Sequence, residues 1–224
     1  MNKKLGNVFI TLGLLLFAAA LALTIYNLWG ERQAGSTSQD MLAQIEEQIA
    51  ENESELAAFN ADSSDKIPDY VRNPEMEMPT EIINEIPCIG TLEIPALGLS
   101  LPIISEWSYP KLQCAPCRYT GSAYQNNMII AAHNYSTHFG GLSSLHQGNE
   151  VIFTDADGNV FNYEVVETEV LEPTAIEEME AGEWDLTLFT CTLGGQSRVT
   201  VRCERTDEPN YPVSFAESFP AEDL

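Results

Sequence analysis

Hydrophobic and polar positions divide the chain into three regimes. Residues 8–29 contain no charged side chain and read as one apolar run. About 20 apolar residues at ~1.5 Å rise each cross a bilayer, so this run predicts a membrane-spanning helix. Leu42, Ile45, Ile49 and Leu56 then recur at three-, four- and seven-residue steps, with no proline or glycine between residues 39 and 59. That period predicts an amphipathic helix. Its apolar stripe is thin and lasts about three heptads, too short for a long coiled coil. The expectation is a solvent-exposed stalk that pairs weakly, if at all, with a partner or with the following domain. From residue 88 the period shortens. β-prone runs occupy residues 89–94, 99–104, 127–133, 150–155 and 160–171, two more form a hairpin across 185–205, and an eighth short one fits near 118–120. Brief helices fit at 108–113, 139–146 and 173–180. Many short strands separated by turn compositions predict an all-β sandwich or a closed barrel.

The connections complete the division. Gly35-Ser-Thr-Ser38 reads as a flexible link. Residues 60–87 hold four prolines and no sustained period, the composition of an extended linker that would hold the next domain away from the membrane. The chain therefore divides into residues 1–30 (N-terminus and membrane anchor), 31–87 (stalk helix and linker), 88–206 (a β domain) and 207–224 (a polar tail).

Charge adds an exclusion and an orientation. The net charge of −24 excludes nucleic-acid binding through phosphates. Lys3 and Lys4 are the only charges before residue 31. A basic flank of this kind places the N-terminus in the cytoplasm and everything after residue 30 outside, as a single-pass cell-membrane protein. Tyr26 and Trp29 suit the outer interface. A cleaved signal peptide is the competing reading, since residues 18–22 offer small side chains, but the apolar run continues well past them.

The hairpin carries the candidate chemistry. Leu186-Thr-Leu-Phe-Thr-Cys191 is a β-prone run that stops on a cysteine, and Arg198-Val-Thr-Val-Arg202 restarts after a Gly-containing loop. Hairpin geometry sets Cys191 roughly opposite Arg198. Alternation puts Val199, Val201 and Cys203 on the core face and Arg198, Thr200 and Arg202 on the other. Arg202 lies ~13 Å further along at ~3.3 Å per residue, so Arg198 is the arginine that serves Cys191 and Arg202 reads as a surface charge. A thiol becomes reactive as thiolate near a cation, and acyl transfer also needs a proton carrier. Of the three histidines, His133 has the most constrained setting, at the end of Met128-Ile-Ile-Ala-Ala-His133. His138 and His146 fall in the polar segment that follows. With five cysteines outside the membrane, at least one thiol stays free if the others pair. Cys191 is the candidate for it.

Taken together these segments resemble the sortases, the cysteine transpeptidases of Gram-positive cell surfaces. Leu186-Thr-Leu-Phe-Thr-Cys191 is similar to their T-L-x-T-C signature, Arg198-Val-Thr-Val to the strand of their essential arginine, and Ala131-Ala-His133-Asn to their catalytic-histidine strand end. Gly90-Thr-Leu-Glu-Ile-Pro95 and Leu99-Ser-Leu-Pro-Ile103 resemble their first two strands. The resemblance spans about residues 86–206; Ala132 stands where many members have glycine. It implies a closed eight-stranded barrel with short helices and a thioester mechanism. Cys191 would be the nucleophile, His133 the general acid/base and Arg198 the stabiliser of oxyanion and substrate. Thr190 would line the substrate pocket. The donor would be a protein with an LPXTG-like sorting signal and the acceptor a peptidoglycan-precursor or pilin amine, with no organic cofactor. Ile67-Pro-Asp-Tyr70 replaces the aspartate–proline–aromatic lid motif of pilin polymerases, and the tail after Arg205 is short and polar. Both favour an anchoring enzyme over a polymerase.

Other signals are weaker. Cys114-Ala-Pro-Cys117 has redox spacing but no α/β context, so a local disulfide or a buried thiol pair is expected; Cys88 and Cys203 are a further candidate pair. Zinc on Cys114, Cys117, His138 and His146 matches no standard spacing. Residues 164–185 hold nine acids and no base. Some sortases bind calcium in acidic loops near this place, but here a solvated connection is the expectation. Asp155-Ala-Asp-Gly-Asn159 begins like a calcium loop, yet position twelve is Val166 where a glutamate is needed. A non-catalytic membrane-anchored barrel that binds surface proteins is the alternative function, and thiol–disulfide exchange at Cys114 and Cys117 a third.

Overall fold

The computed structural model describes residues 3–60, 67–192 and 194–206. Helices are α1 (Lys3–Asn60), α2 (Asp69–Arg72), α3 (Tyr109–Leu112) and α4 (Ile176–Glu180). Strands are β1 (Glu81–Ile83), β2 (Ile86–Ile94), β3 (Leu99–Ile104), β4 (Cys117–Thr120), β5 (Met128–Ala132), β6 (Glu150–Asp155), β7 (Val160–Leu171), β8 (Leu186–Cys191) and β9 (Arg198–Arg205). The tail 207–224 and residues 61–66 of the expected linker lie outside the described residues.

The sheet order is β1-β2-β3-β4-β5-β8-β9-β7-β6, and β2 also pairs with β6. That second pairing closes β2 to β9 into an eight-stranded barrel, with β1 added at the rim of β2. The expected closed barrel is present. Two pairs, β3–β4 and β5–β8, run parallel. Inside lie Leu92, Ile94, Leu101, Met128, Ile130, Phe153, Phe161, Leu186, Leu188 and Val201, supplied by alternate positions of each strand. At the closure a side chain on Gly90 would strike the Thr154 backbone, and its φ of +148° favours glycine.

Three expectations need correction. Residues 35–38 are not a link, because α1 runs unbroken through them. The stalk does not stand free of the domain; one face of it is buried. Its stripe of Met41, Leu42, Ile45 and Ile49 packs against the outward-facing Cys88, Ile104 and Cys117 of β2, β3 and β4. Fully burying such a side chain is worth ~1.5–3 kcal/mol, and four together hold the helix to the barrel. At its far end Asn52 donates to Ala156 O and Glu81 Oε1. The proline-rich segment is not a free linker either. Tyr70 of α2 stacks on Tyr124 at 4.5 Å and packs on Phe161, Met78 joins the core, and β1 pairs with β2. The sheet therefore begins at Glu81 rather than at residue 88.

These contacts give the barrel two unlike ends. Tyr70, Tyr124 and Phe161 close the end where β5 and β8 begin. The other end, where β5 and β8 stop, stays clear of the Ile67–Tyr70 segment.

Candidate active site

Strands β5, β8 and β9 are consecutive neighbours. β8 runs parallel to β5 with Ala132 beside Thr190, so the next residues, His133 and Cys191, leave the sheet side by side, roughly 5 Å apart at the usual strand spacing. On the other side Cys191 pairs with Arg198 of β9, the partner expected from the loop length. Cys191 thus stands between His133 and Arg198, and all three are half-buried. The β8–β9 loop is closed by Thr192 N–H donating to Ser197 O and Ser197 N–H to Thr192 Oγ1, which fixes the register at the thiol.

Thr190 points the other way. It is 3% exposed and its hydroxyl donates to Ala132 O at 2.8 Å, lashing β8 to β5 one residue before the site. Phe189 shares Cys191's face and begins an aromatic row. It meets Tyr119 edge-on, Tyr119 meets Trp107, and Trp107 meets Tyr109, with centroids 5.5–5.8 Å apart. An open hollow of about 470 Å³ lies beside Trp107, Tyr119 and Arg118.

Burial lowers the pKa of His133 below its ordinary value, favouring the neutral imidazole. The Tyr135 ring packs on it at 5.0 Å. His138 is fully buried against Tyr135 with neither ring nitrogen hydrogen-bonded, and burial pushes its pKa down to about 4. His138 lies in the loop that follows His133, packed on Tyr135.

Arg202 is the chief correction. It is 2% exposed, not a surface charge. It donates to Glu169 Oε1 (2.9 Å), Met179 O (2.6 Å), Thr187 Oγ1 (3.1 Å) and Glu178 O (2.7 Å). In doing so it pins the acid-rich β7–β8 connection over the outer face of β8 and β9 beside Thr187. The signal was available in part: nine acids without a base over 164–185, beside a strand that carries Arg198, Arg202 and Arg205.

All five cysteines are free thiols. Cys88 and Cys117 lie under α1 and Cys203 lies in the interior, and burial pushes each thiol up to about 12. The expected Cys88–Cys203 pair does not meet, since the two face opposite sides of the barrel wall. Cys114 and Cys117 form no disulfide. Among the described residues no three His, Cys, Asp or Glu side chains are grouped to hold a metal, so the zinc set stays apart. Asp155 is fully buried and accepts from Tyr124, Asn159 and backbone amides, which spends it on its own turn.

Among solved structures the barrel is similar to a sortase D transpeptidase of Clostridium perfringens (TM-score 0.55, 20% identity, 77% of this chain and 99% of that one). It is also similar to sortase C of Streptococcus pneumoniae (0.53, 21%, 77% and 97%) and to sortase A of Corynebacterium diphtheriae (0.51, 20%, 85% and 99%). At these identities the likeness is one of fold. No curated protein matches the chain. The helix α1 is long and apolar enough to cross a membrane. The sequence itself matches the Sortase domain model over residues 92–206, which takes in β3 to β9 with His133, Cys191 and Arg198, and the chain belongs to the sortase family of cysteine transpeptidases.

Proposed function

We propose that this protein is a membrane-anchored transpeptidase that cleaves an LPXTG-like sorting signal through a thioester on Cys191 and passes the acyl group to a cell-wall or pilin amine. One observation carries the reading: the order β5-β8-β9 and its register set the thiol between an imidazole and a guanidinium. Cys191 gives its proton to His133 and attacks the carbonyl carbon of the Thr–Gly bond. Arg198 stabilises the negative charge that develops on the carbonyl oxygen. The C–N bond breaks, and His133 delivers the proton to the departing amine. The incoming amine then attacks the thioester, loses a proton to His133 and releases Cys191. A half-buried, predominantly neutral His133 suits this last step, because it starts as a base. The aromatic row from Phe189 to Trp107 gives the donor peptide an apolar bed. Thr190 serves by holding the ends of β8 and β5 together, since its hydroxyl is spent on Ala132 O. The span of α1 anchors the chain with the barrel outside the cell.

The test is intact-mass detection of an acyl adduct on Cys191 with a panel of sorting-signal peptides. An adduct lost in Cys191→Ala and His133→Ala, and strongly reduced in Arg198→Ala, is expected. No adduct across the panel, or normal turnover in Cys191→Ala, overturns the reading.

A further inference from the structure

The residues that hold the His133 loop come from an unexpected part of the chain. His133 is followed by the segment 134–138, which turns back so that Phe139 N–H reaches His133 O. Glu31, in the first turn of α1 beyond the apolar run, holds it from outside. Ser136 N–H and Ser136 Oγ–H both donate to Glu31 Oε1, at 2.7 and 2.6 Å. One turn further on, Ala34 is 4% exposed and Gly35 lies against Thr137, where a side chain would come within 2.9 Å of Cγ2. Inside the loop, the Tyr135 ring packs on the His133 imidazole and on buried His138. A rigid helix therefore grips the loop at Ser136 and Thr137, and the loop in turn presses Tyr135 on His133.

We propose that Glu31 is a positioning residue for His133: it acts through Ser136 and Tyr135 to hold the imidazole where it can hand a proton to the departing amine. This rests on the transpeptidase reading. The two Ser136 bonds also hold the Glu31 carboxyl below its ordinary pKa, so at neutral pH the acceptor is the charged form, which makes the stronger bond. Fixing a reacting group to within a fraction of an ångström is the usual task of such supporting contacts. General acid–base catalysis is worth ~10²- to 10⁴-fold, so loosening the imidazole without removing it should cost less than that.

The experiment uses the full chain in detergent micelles. Glu31→Ala should lower kcat on an amide donor peptide about 10- to 100-fold with KM changed less than about twofold. Glu31→Gln keeps an oxygen acceptor and should recover part of the loss; Glu47→Ala, an exposed acid on the same helix, should have no effect. The discriminating arm is a donor with the same peptide but an ester leaving group acidic enough to depart without a proton. On that donor Glu31→Ala should run close to wild type. Hydrogen exchange should show the Ser136 amide losing protection in Glu31→Ala while the strand amides of the barrel keep theirs. An unchanged kcat, an equal loss on both donors, or an unchanged Ser136 amide overturns the proposal. A wild-type chain that acylates Cys191 with neither donor refutes the transpeptidase reading itself, whereas exchange at Ser136 still reports whether Glu31 holds the loop.

Discussion

Arg198 and Arg202 share one face of β9, four residues apart, and should respond to mutation in opposite ways. Arg202→Ala removes a cation that is 2% exposed and serves two carbonyl oxygens, a hydroxyl and Glu169. Breaking a buried pair by deleting one partner costs about 3–5 kcal/mol. Glu169 is 31% exposed and can take up water, and the Glu178 and Met179 carbonyls rehydrate if the connection lifts. The expected cost is therefore nearer 2–3 kcal/mol, or roughly 6–9 °C in Tm for a domain of this size. Arg202→Lys should not recover it, since one ammonium cannot span acceptors that a planar fork reaches together. Arg198→Ala should change stability by less than about 0.5 kcal/mol, because Arg198 is half-buried and, among the described residues, its side chain bonds only the adjacent Ser197 O. Its effect should fall on turnover. Urea unfolding of the two variants, with limited proteolysis of residues 172–185, measures the contrast. If Arg202→Ala unfolds with wild-type stability and its connection resists protease as before, the account of Arg202 as the pin of that connection is wrong.

Other expectations follow from the same packing. At pH 8 iodoacetamide should label native protein at no more than two sites, Cys191 and Cys114, because the thiols of Cys88, Cys117 and Cys203 are pushed up to about 12; intact mass would refute this by showing three or more rapid adducts before denaturant is added. The pH dependence of stability should carry a His138 signature. His138 binds its proton near 4 in the fold and near 6.5 unfolded, so the unfolded state holds the extra proton between those values and stability falls as pH drops from about 6.5 towards 4. The loss is on the order of 3 kcal/mol, and a His138→Leu variant with the wild-type slope in urea titrations across that window would contradict it. Gly90→Ala should destabilise by more than about 2 kcal/mol, since it combines an unfavourable φ with a collision against Thr154 at the barrel closure; an unshifted urea midpoint would show that the closure relaxes.

Local pattern carried most of the strands. Residues 99–104, 150–155 and 160–171 fold with the expected bounds, because alternation and turn residues act within a few positions. The facing of Cys191 and Arg198 was legible for the same reason: a short loop fixes hairpin register. What was not legible depends on contacts far along the chain. The thin stripe of α1 looked insufficient because its partners, Cys88, Ile104 and Cys117, come from three separate strands. β1 is three residues long and lies between Pro79 and Pro87, too short for any period to show. Arg202 looked like a surface charge because alternation says which face a side chain takes, not what covers that face. Glu31 and Ser136 lie 105 residues apart, and nothing in either segment announces the other.

The direction in which α1 crosses the barrel would fix which way a barrel anchored through residues 8–29 faces. Residue 31 meets the loop that follows His133 and Asn52 meets the turn at the opposite end, about 30 Å further along the axis. If residues 8–29 sit in a bilayer as proposed, the chain would climb past the His133 end of the barrel before building it, and that end would look down at the lipid headgroups. A donor drifting in the same leaflet would be met from above, by lateral diffusion in a plane, and a peptide free in solution would have to slip beneath the barrel. Reach, rather than affinity alone, would then select among substrates: the distance between a scissile bond and its own membrane anchor would become part of the recognition code.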